Sequence, residues 1–439
     1  MRIAVVGAGW AGMAAAIAAV ERGHNVTVFE AARSVGGRAR AVVVNQADGG
    51  TLTLDNGQHI LIGAYTESLR LMRVCGVEPD TALLRLPLVL RFADGSGLQW
   101  PDIPPPWDAV LGIARARGWS WRERIALLRA ARRWQSQRFV CAPEASVAQL
   151  CTGLPSRLIA EFIEPLCVAA LNTPAGEASG QVFLRVLQDS LFSGPGGSNL
   201  LLPRIDLGAA FPDAAARWLR TRGAIVCTGV RIQDLQAQPN GAGWSVNSMP
   251  FDAVVLATAS AEAARLISRT AHAAPFDLTV LLCDWAACAQ ALRFQAITTV
   301  YALVSAPPSG HTLAAPMLAL RSSAGRPAQF VFDRGQLGGP AGLLAFVVST
   351  SDSDRAVVER QVLLQAQTEL GLEGLALVQT VVEKRATFAC TPALERPAAR
   401  VAPGLWACGD YVAGPYPATL EGAVRSGTAA GSAVCDAWT

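Results

Sequence analysis

The sequence predicts an α/β fold that opens with a Rossmann-type dinucleotide-binding unit. Three features of the first 30 residues predict it: a β-branched run over 2–6, the pattern G-x-G-x-x-G at Gly7, Gly9 and Gly12, and the acid Glu30 closing a second short strand. An alanine-rich stretch to about residue 22 predicts the connecting helix. Glycines at this spacing let a pyrophosphate approach a helix N-terminus, and the acid accepts hydrogen bonds from a ribose.

Length and composition predict a folded protein of two or three domains. The chain has 439 residues, 51% of them hydrophobic and 16% charged, with a net charge of +3 that gives no argument for nucleic acid. Ten scattered cysteines without metal-ligand spacing favour a reducing cytoplasm and no metal. Residues 3–20 are uncharged, but their three glycines and the strand that follows disfavour a signal peptide or membrane span.

A second glycine turn follows the first unit. Gly36 and Gly37 precede Arg38, and a flexible turn beside a guanidinium suits a diphosphate. An ordinary loop with one solvated arginine is the alternative, and the turn alone does not decide between them.

His59 is a candidate functional residue just after a predicted strand and turn. Residues 51–54 alternate like a strand, a turn follows at Asp55 to Gly57, and Gln58 and His59 come next. A lone histidine is more often structural than catalytic, so this alternative stays open at the level of the residues.

The C-terminal segment predicts a strand over 405–407, a turn at Gly409 and Asp410, and an Ala/Gly-rich helix from Thr419. The N-terminus of such a helix stabilises negative charge on a bound group. The alternative is a plain docking helix at the end of the chain.

Together these segments resemble the superfamily of FAD-dependent amine oxidases and phytoene desaturases. The resemblance rests on VVGAGWAGMAAA…VFE, SVGGRA, DNGQH and ACGD…TLEGAVRSG. It implies that FAD binds a discontinuous Rossmann-type domain of residues 1–75, 212–262 and 396–439, with an inserted α+β substrate domain of residues 76–211 and 263–395. In the middle segment, short strands are expected around Pro239 to Gly241, and a buried strand over 251–257. The residues implied to bind FAD are Gly7, Gly9, Trp10, Ala11, Gly12, Glu30, Ala31, Gly36, Gly37, Arg38, Asn56, Gly57, Gln58, His59, Val230, Gly409, Asp410, Thr419, Leu420, Glu421 and Ala423.

Within that superfamily, the chain is similar to the squalene-associated FAD-dependent desaturases of bacterial hopanoid pathways, a family understood as hydroxysqualene dehydroxylases. Residues 164–191, 198–207 and DNGQHILIGAY carry this similarity. It implies hydride transfer from reduced FAD to a long isoprenoid as a hydroxyl leaves as water. His59 is then the first candidate for an acid or an oriented hydrogen bond, Glu421 a weaker one, and Tyr416 and Pro417 candidate walls of the flavin site. The external reductant, NAD(P)H or a separate electron donor, stays open.

Three other functions remain as alternatives. A carotenoid or other isoprenoid desaturase would run the flavin in the opposite direction, and an amine or protoporphyrinogen oxidase would act on a different substrate. A non-catalytic lipid-binding escort is the third.

Residues 107–139 form an unusual basic segment with eight arginines, two acids and four tryptophans, a net charge of +6 in a chain of net +3. Arginines with interfacial aromatics on an amphipathic helix are typical of a bilayer surface. A solvated basic helix with inward-packed tryptophans is equally compatible. Nucleic acid is disfavoured because the rest of the chain is acidic. The expected location is the cytoplasm, with peripheral contact at the inner face of the cytoplasmic membrane as a hypothesis.

Overall fold

A six-stranded, mostly parallel sheet organises the molecule. The computed structural model describes residues 1–45, 49–104, 106–191, 194–238, 243–304, 311–351 and 353–436. Within these ranges the strands are β1 (Arg2–Val6), β2 (Asn25–Glu30), β3 (Ala41–Asn45), β4 (Thr51–Asp55), β5 (Leu61–Ile62), β6 (Leu83–Leu86), β7 (Val89–Arg91), β8 (Gly97–Gln99), β9 (Leu200–Pro203), β10 (Ile225–Thr228), β11 (Leu235–Ala237), β12 (Trp244–Val246), β13 (Met249–Phe251), β14 (Ala253–Leu256), β15 (Phe294–Val304), β16 (Met317–Ala319), β17 (Phe330–Asp333), β18 (Leu343–Ser349), β19 (Leu375–Phe388), β20 (Arg400–Ala402) and β21 (Leu405–Ala407).

The helices are α1 (Trp10–Glu21), α2 (Thr66–Val74), α3 (Pro79–Ala82), α4 (Trp107–Ala114), α5 (Trp121–Ser136), α6 (Val147–Leu150), α7 (Ser156–Leu158), α8 (Glu164–Leu171), α9 (Gly180–Leu191), α10 (Leu207–Ala210), α11 (Pro212–Arg220), α12 (Ser260–Ala271), α13 (Phe276–Gln290), α14 (Arg355–Leu370) and α15 (Leu420–Asp436). A π-helical segment, Ile159–Ile163, joins α7 to α8, and a 3₁₀ turn spans Arg334–Leu337.

The central sheet has the strand order β10-β2-β1-β14-β21-β20. Its first five strands are parallel, and β20 is antiparallel to β21. The middle strands β1 and β14 consist almost entirely of buried aliphatic residues, as expected for parallel strands covered on both faces. The predicted Rossmann-type α/β fold is confirmed.

The helices α1 and α15 pack against each other through small residues. A Cβ atom added at Gly427 or Gly431 of α15 would clash with the carbonyl oxygens of Ala11 and Ala15 on α1. This close packing joins the two ends of the chain, as the Ala/Gly-rich composition of both helices indicates. It also brings their N-termini to one side of the sheet.

A second, antiparallel sheet lies within the predicted substrate segments. Its strand order is β16-β17-β18-β15-β19, and α14 packs beside β19. The strands of the central sheet all fall within the three segments predicted to hold FAD. The domain boundaries themselves remain a prediction, because β5 of one predicted domain pairs with β9 of the other.

Two predicted elements differ from the structure. The strand expected over 251–257 is split into β13 and β14, and the break at Asp252 donates its backbone N–H to the carbonyl of Arg2. The basic segment 107–139 folds as two helices, α4 and α5, rather than one. The short strands expected around 239–241 are present as β11 and β12, whereas residues 239–241 themselves lie outside the described residues.

Among the described residues, no helix has the length and apolar character needed to cross a bilayer. The same part of the chain contains no cluster of three or more His, Cys, Asp or Glu side chains arranged to hold a metal ion.

Candidate active site

A cavity of about 600 Å³ opens at the carboxyl ends of β1, β2, β14 and β21. Ligands of open α/β sheets bind at this edge. Of the residues predicted to bind the cofactor, the structure brings to the cavity wall Gly7, Gly9, Trp10, Ala11, Glu30, Ala31, Gly36, Gly37, Arg38, Asn56, Gly57, Gln58, His59, Val230, Gly409, Asp410, Thr419, Leu420 and Ala423. Gly12 and Glu421 do not line it.

The three glycines of the first turn have different physical roles. Gly7 has a φ of +110°, and a Cβ atom there would lie 2.5 Å from the carbonyl oxygen of Ala257. A Cβ atom at Gly12 would clash with the carbonyl of Gly7, so this glycine allows α1 to pack close to β1. At Gly9 the nearest atom to an added Cβ is the Cα of Gly37 at 3.9 Å. Protein packing therefore does not require glycine at position 9, whereas a ligand approaching α1 from the cavity does.

Glu30 is oriented for a ligand by backbone hydrogen bonds. One carboxylate oxygen accepts the N–H of Ala8 at 2.7 Å, and the other accepts the N–H of Ala32 at 2.8 Å. Each oxygen keeps a further lone pair for a ribose hydroxyl. Val230 lines the cavity beside it, and its N–H donates to the carbonyl of Glu30 at 2.8 Å.

The second glycine turn lies against the first, since the N–H of Gly36 donates to the carbonyl of Ala8 at 2.8 Å. Arg38 leaves this turn, forms an ion pair with Asp410, and donates to the carbonyl of Ala386 at 2.7 Å. Burial opposes the charge on Arg38, but the neighbouring Asp410 outweighs it and raises the pKa of the guanidinium. Arg38 and Asp410, both implied by the resemblance to bind FAD, thus line the cavity as a pair.

His59 lies at the cavity wall in its neutral form. Its imidazole approaches Gly57, with Nε2 3.6 Å from the position of a Cβ there. Burial, helped by the charge of Arg38, lowers the pKa of His59 to about 4. A neutral imidazole at physiological pH suits an oriented hydrogen bond better than a protonated acid, which favours the second of the two roles predicted for it.

Glu421 has a structural position instead of a catalytic one. Its fully buried carboxylate accepts hydrogen bonds from the N–H groups of Glu67 and Ser68 at 3.0 and 2.9 Å, and from the Ser68 hydroxyl at 2.7 Å. Arg425 donates to it at 2.6 Å. The predicted catalytic role is therefore corrected: the carboxylate caps the first turn of α2 from α15, and its hydrogen-bonding capacity is taken up by these partners.

The N-terminus of α15 reaches the cavity through Thr419, Leu420 and Ala423. The Thr419 hydroxyl accepts the N–H of Gly422 at 3.0 Å and donates to the carbonyl of Tyr416 at 2.7 Å. The side chain therefore caps the helix, and the positive end of the helix dipole points toward the cavity, as predicted.

The far part of the cavity is apolar, and its residues share no sequence motif. Its wall includes Leu88, Leu166, Val168, Ala169, Ile297, Phe330, Phe332 and Val347. These residues come from β15, β17, β18, α8 and the chain before β7. Only their apolar character was foreseeable, because regular spacing relates residues within one element, such as Phe330 and Phe332 on β17, but not residues of different elements.

Several polar residues at this cavity were missed by the sequence reasoning, among them Tyr65, Asn172, Asp189, Ser198, Thr258 and Thr387. Thr258 was foreseeable because it follows β14 at the carboxyl edge of the sheet.

Tyr416, predicted as a wall of the flavin site, lines the cavity with a φ of +58°, whereas Pro417 does not line it. Burial, together with the charge of Asp189, raises the pKa of Tyr416.

Two observations indicate that the residues of this site fit FAD. The first is Gly9, which lines the cavity and where an added Cβ would meet no protein atom closer than 3.9 Å. The second is Gln58, whose side-chain nitrogen and oxygen are buried without a hydrogen-bond partner among the described residues. Unpaired buried amides are rare unless a ligand or water satisfies them. Within the described structure, Gln58 thus offers an unsatisfied polar group in the wall of the cavity that both glycine turns also line.

Known proteins resemble the chain along almost its whole length. Hydroxysqualene dehydroxylase of Sinorhizobium fredii is 27% identical over 453 residues, which cover 97% of this chain and 96% of that protein. Zeta-carotene desaturase of Synechocystis is 37% identical, but over only 83 residues, 19% of this chain and 16% of that protein. A crystal structure of an oxidoreductase from Methanosarcina mazei superposes with a TM-score of 0.70 at 17% identity, covering 98% of this chain and 99% of the other.

These similarities agree with the resemblance predicted from the motifs. The sequence also matches the family described as flavin containing amine oxidoreductase over residues 10–435. The chain therefore belongs to the flavin-containing amine oxidoreductase family, and it is an FAD-dependent oxidoreductase.

Proposed function

We propose that this protein reduces hydroxysqualene to squalene. In this reaction the bond between carbon and the hydroxyl oxygen breaks, a C–H bond forms, and the oxygen leaves as water. Reduced FAD supplies the hydride when it is bound. The full-length similarity to hydroxysqualene dehydroxylase supports this substrate over zeta-carotene, for which the similarity is confined to 83 residues.

The observation that carries the proposal is the continuity of one cavity from the glycine turns to the apolar wall. Gly9 and Gly37 of the glycine turns and Phe330 and Phe332 of β17 in the second sheet line the same cavity. A C30 hydrocarbon is stabilised by about 0.8 kcal/mol for each buried methylene, so an apolar wall of this kind favours an isoprenoid. A charged amine placed along this apolar wall would lose its hydration without gaining polar partners.

The chain's own residues would orient the substrate and exclude water. The aliphatic side chains hold the hydrocarbon, and the neutral His59 offers a hydrogen bond near the cofactor end. The leaving oxygen also needs a proton. Tyr416, near Asp189 and at the cavity wall, is a second candidate donor that the sequence motifs assigned only to packing.

An anaerobic turnover experiment tests the proposal. Purified flavin-loaded protein is incubated with hydroxysqualene and dithionite or NADPH, and products are identified by mass spectrometry. We expect squalene in proportion to the flavin oxidised, and none from protein stripped of flavin. Dehydrogenation of phytoene, or oxidation of amines, without squalene formation would reject the assignment. Binding of hydroxysqualene without turnover by the reduced holoprotein would favour the escort alternative.

A further inference from the structure

The tryptophans of α4 and α5 divide into two buried and two exposed side chains. Trp119 and Trp134 are 4% and 3% exposed, whereas Trp107 and Trp121 are 64% and 68% exposed. The sequence left two interpretations open: tryptophans exposed at a bilayer surface, or tryptophans packed inward. Each interpretation describes two of the four side chains. The inward pair anchors the segment to the core, and the outward pair remains mostly exposed, with the Arg124 guanidinium 4.7 Å from the centre of the Trp121 ring.

Aliphatic side chains extend the outward surface. Val110 lies one turn after Trp107 on α4, Ile125 lies one turn after Trp121 on α5, and Ile103 precedes α4; all three are exposed. Arg124 donates to the carbonyls at 114 and 116, at 2.6 and 2.7 Å, and ties α5 to the end of α4. We call the exposed side chains of Ile103, Trp107, Val110, Trp121 and Ile125 the α4–α5 face.

Arginines accompany this face without neutralising partners. Arg122, Arg129 and Arg132 are exposed, and their spacing places them on the side of α5 that carries Trp121 and Ile125. Within the described residues, none of the three has a carboxylate within ion-pair distance. The acid of this helix, Glu123, is held in a capping box with Ser120 and, among the described residues, forms no ion pair with these arginines.

We propose that the α4–α5 face docks on the surface of an anionic phospholipid bilayer. Tryptophan is favoured at the interface between headgroups and acyl chains, and arginine is attracted by anionic headgroups. The exposed aliphatic residues add apolar area that a nucleic-acid backbone would not use. An acidic protein partner would satisfy the arginines equally well, so the experiment separates it as an outcome.

The buried side of the same segment is attached to the apolar part of the cavity. The indole N–H of Trp119 donates to Glu161 at 3.3 Å, and the helical segment containing Glu161 continues into α8, which lines the cavity. The indole of Trp100 packs so closely against Gly112 of α4 that a Cβ there would clash with it. Docking therefore brings the apolar cavity wall near the bilayer, whichever apolar substrate the enzyme uses.

Vesicle binding by the full-length, flavin-loaded protein tests the proposal without any substrate. Cosedimentation is measured with phosphatidylglycerol–phosphatidylcholine vesicles and with phosphatidylcholine vesicles alone. We expect binding to the anionic vesicles that weakens with salt. Trp107→Ser with Trp121→Ser should lower the affinity about tenfold or more. Arg122→Gln, Arg129→Gln and Arg132→Gln together should lower it about a hundredfold, since each basic residue contributes about a fivefold factor.

Matched controls use exposed residues elsewhere. Phe276→Ser with Val280→Ser removes exposed apolar area beside Asp277, and Arg269→Gln, Arg360→Gln and Arg400→Gln remove the same positive charge. Neither control should change vesicle binding, and all variants should keep their flavin absorbance and melting temperature.

Three results would overturn the proposal: wild-type protein that ignores anionic vesicles, α4–α5 variants that bind as well as wild type, or controls that lose as much binding. A wild-type dimer that becomes monomeric in the tryptophan variant, with no vesicle binding by either, would assign the face to a protein interface instead. Because no substrate is present, these outcomes are independent of whether hydroxysqualene is turned over.

Discussion

The two ends of the cavity are built on different principles. At the cofactor end the wall is largely backbone, with the turns at Gly7 to Gly9 and Gly36 to Gly37 and the strand end at Glu30. At the apolar end it consists of side chains such as Leu88, Phe332 and Val347, which come from separate elements. A pyrophosphate demands close backbone approach and fixed donors, whereas a hydrocarbon demands only volume and apolarity. The need for close backbone approach can be recognised as a pattern of glycines in the sequence, whereas the need for apolar volume produces no such pattern.

The sharpest test of the cofactor end is Gly9→Leu. The substitution leaves the protein's own packing open, because the nearest atom to the new Cβ is 3.9 Å away, but it fills the approach to α1. We expect loss of FAD affinity by about a thousandfold, on the order of 4 kcal/mol, with secondary structure retained. Flavin absorbance per protein and circular dichroism measure the two quantities.

Two glycines serve as controls for this variant. Gly176→Ala, at a site with an ordinary φ and no atom within 4 Å, should leave both quantities unchanged. Gly7→Ala should destabilise the fold itself, because its φ of +110° and the Ala257 carbonyl oppose any side chain. Full flavin content in Gly9→Leu would show that the glycine does not serve the cofactor.

The contrast explains how far the sequence could predict the site. Glu30 and the three glycines were identifiable because each is tied to a strand end or a turn by local chain geometry. Tyr65 and Asn172 were not, because each reaches the cavity through tertiary packing between elements distant in sequence. Turn and strand patterns depend on residues within about ten positions of each other. The apolar wall instead depends on which elements pack together in the tertiary structure.

The apolar end is tested by Ala169→Trp. Ala169 lines the cavity from α8 and is exposed, so a larger side chain can be placed there without filling the protein core. We expect kcat/KM for the isoprenoid to fall about 10- to 100-fold, because a bulky ring shortens the space for the hydrocarbon, with flavin content unchanged.

Ala169→Ser is the matched control and should keep most of the activity. If Ala169→Trp instead released flavin while sparing turnover per remaining flavin, the two ends of the cavity would not be separable as described.

Glu421 shows that a residue within a cofactor-binding motif need not contact the cofactor site. It lies in the C-terminal motif, yet its carboxylate is directed to α2 rather than to the cavity. Glu421→Gln replaces one acceptor with a donor facing these N–H groups and leaves Arg425 without its ion pair. We expect the free energy of unfolding to fall by about 2–3 kcal/mol, measured by urea denaturation, with turnover per bound flavin unchanged.

If Glu421→Gln kept its normal stability but lost its turnover, the result would support a catalytic role for Glu421. The residue also illustrates a limit of the sequence, since the direction of a side chain at a helix start depends on the packing of α15 against α2. The same limit applies to Trp119 and Trp121, which lie two residues apart but differ completely in burial.

The remaining prediction concerns the pH dependence set by His59. With its pKa lowered to about 4, the folded apoprotein leaves this residue unprotonated between pH 4 and 6.5, where the unfolded chain takes up the proton. Its contribution to stability is therefore complete above pH 6.5 and is lost as the pH falls toward 4. The difference between wild type and His59→Asn in thermal unfolding should change across this window and nowhere else.

The same pKa predicts the pH dependence of turnover. A step that required protonated His59 would slow about tenfold for each pH unit above 4, whereas a neutral hydrogen-bond donor gives a flat profile above pH 6. We expect the flat profile in wild type and in His59→Asn, with a rate reduced only a few-fold in the variant and more in His59→Ala, which has no donor. A tenfold decline per unit in wild type that disappears in His59→Asn would instead assign the transferred proton to this imidazole, and Tyr416 would then no longer be needed as a donor.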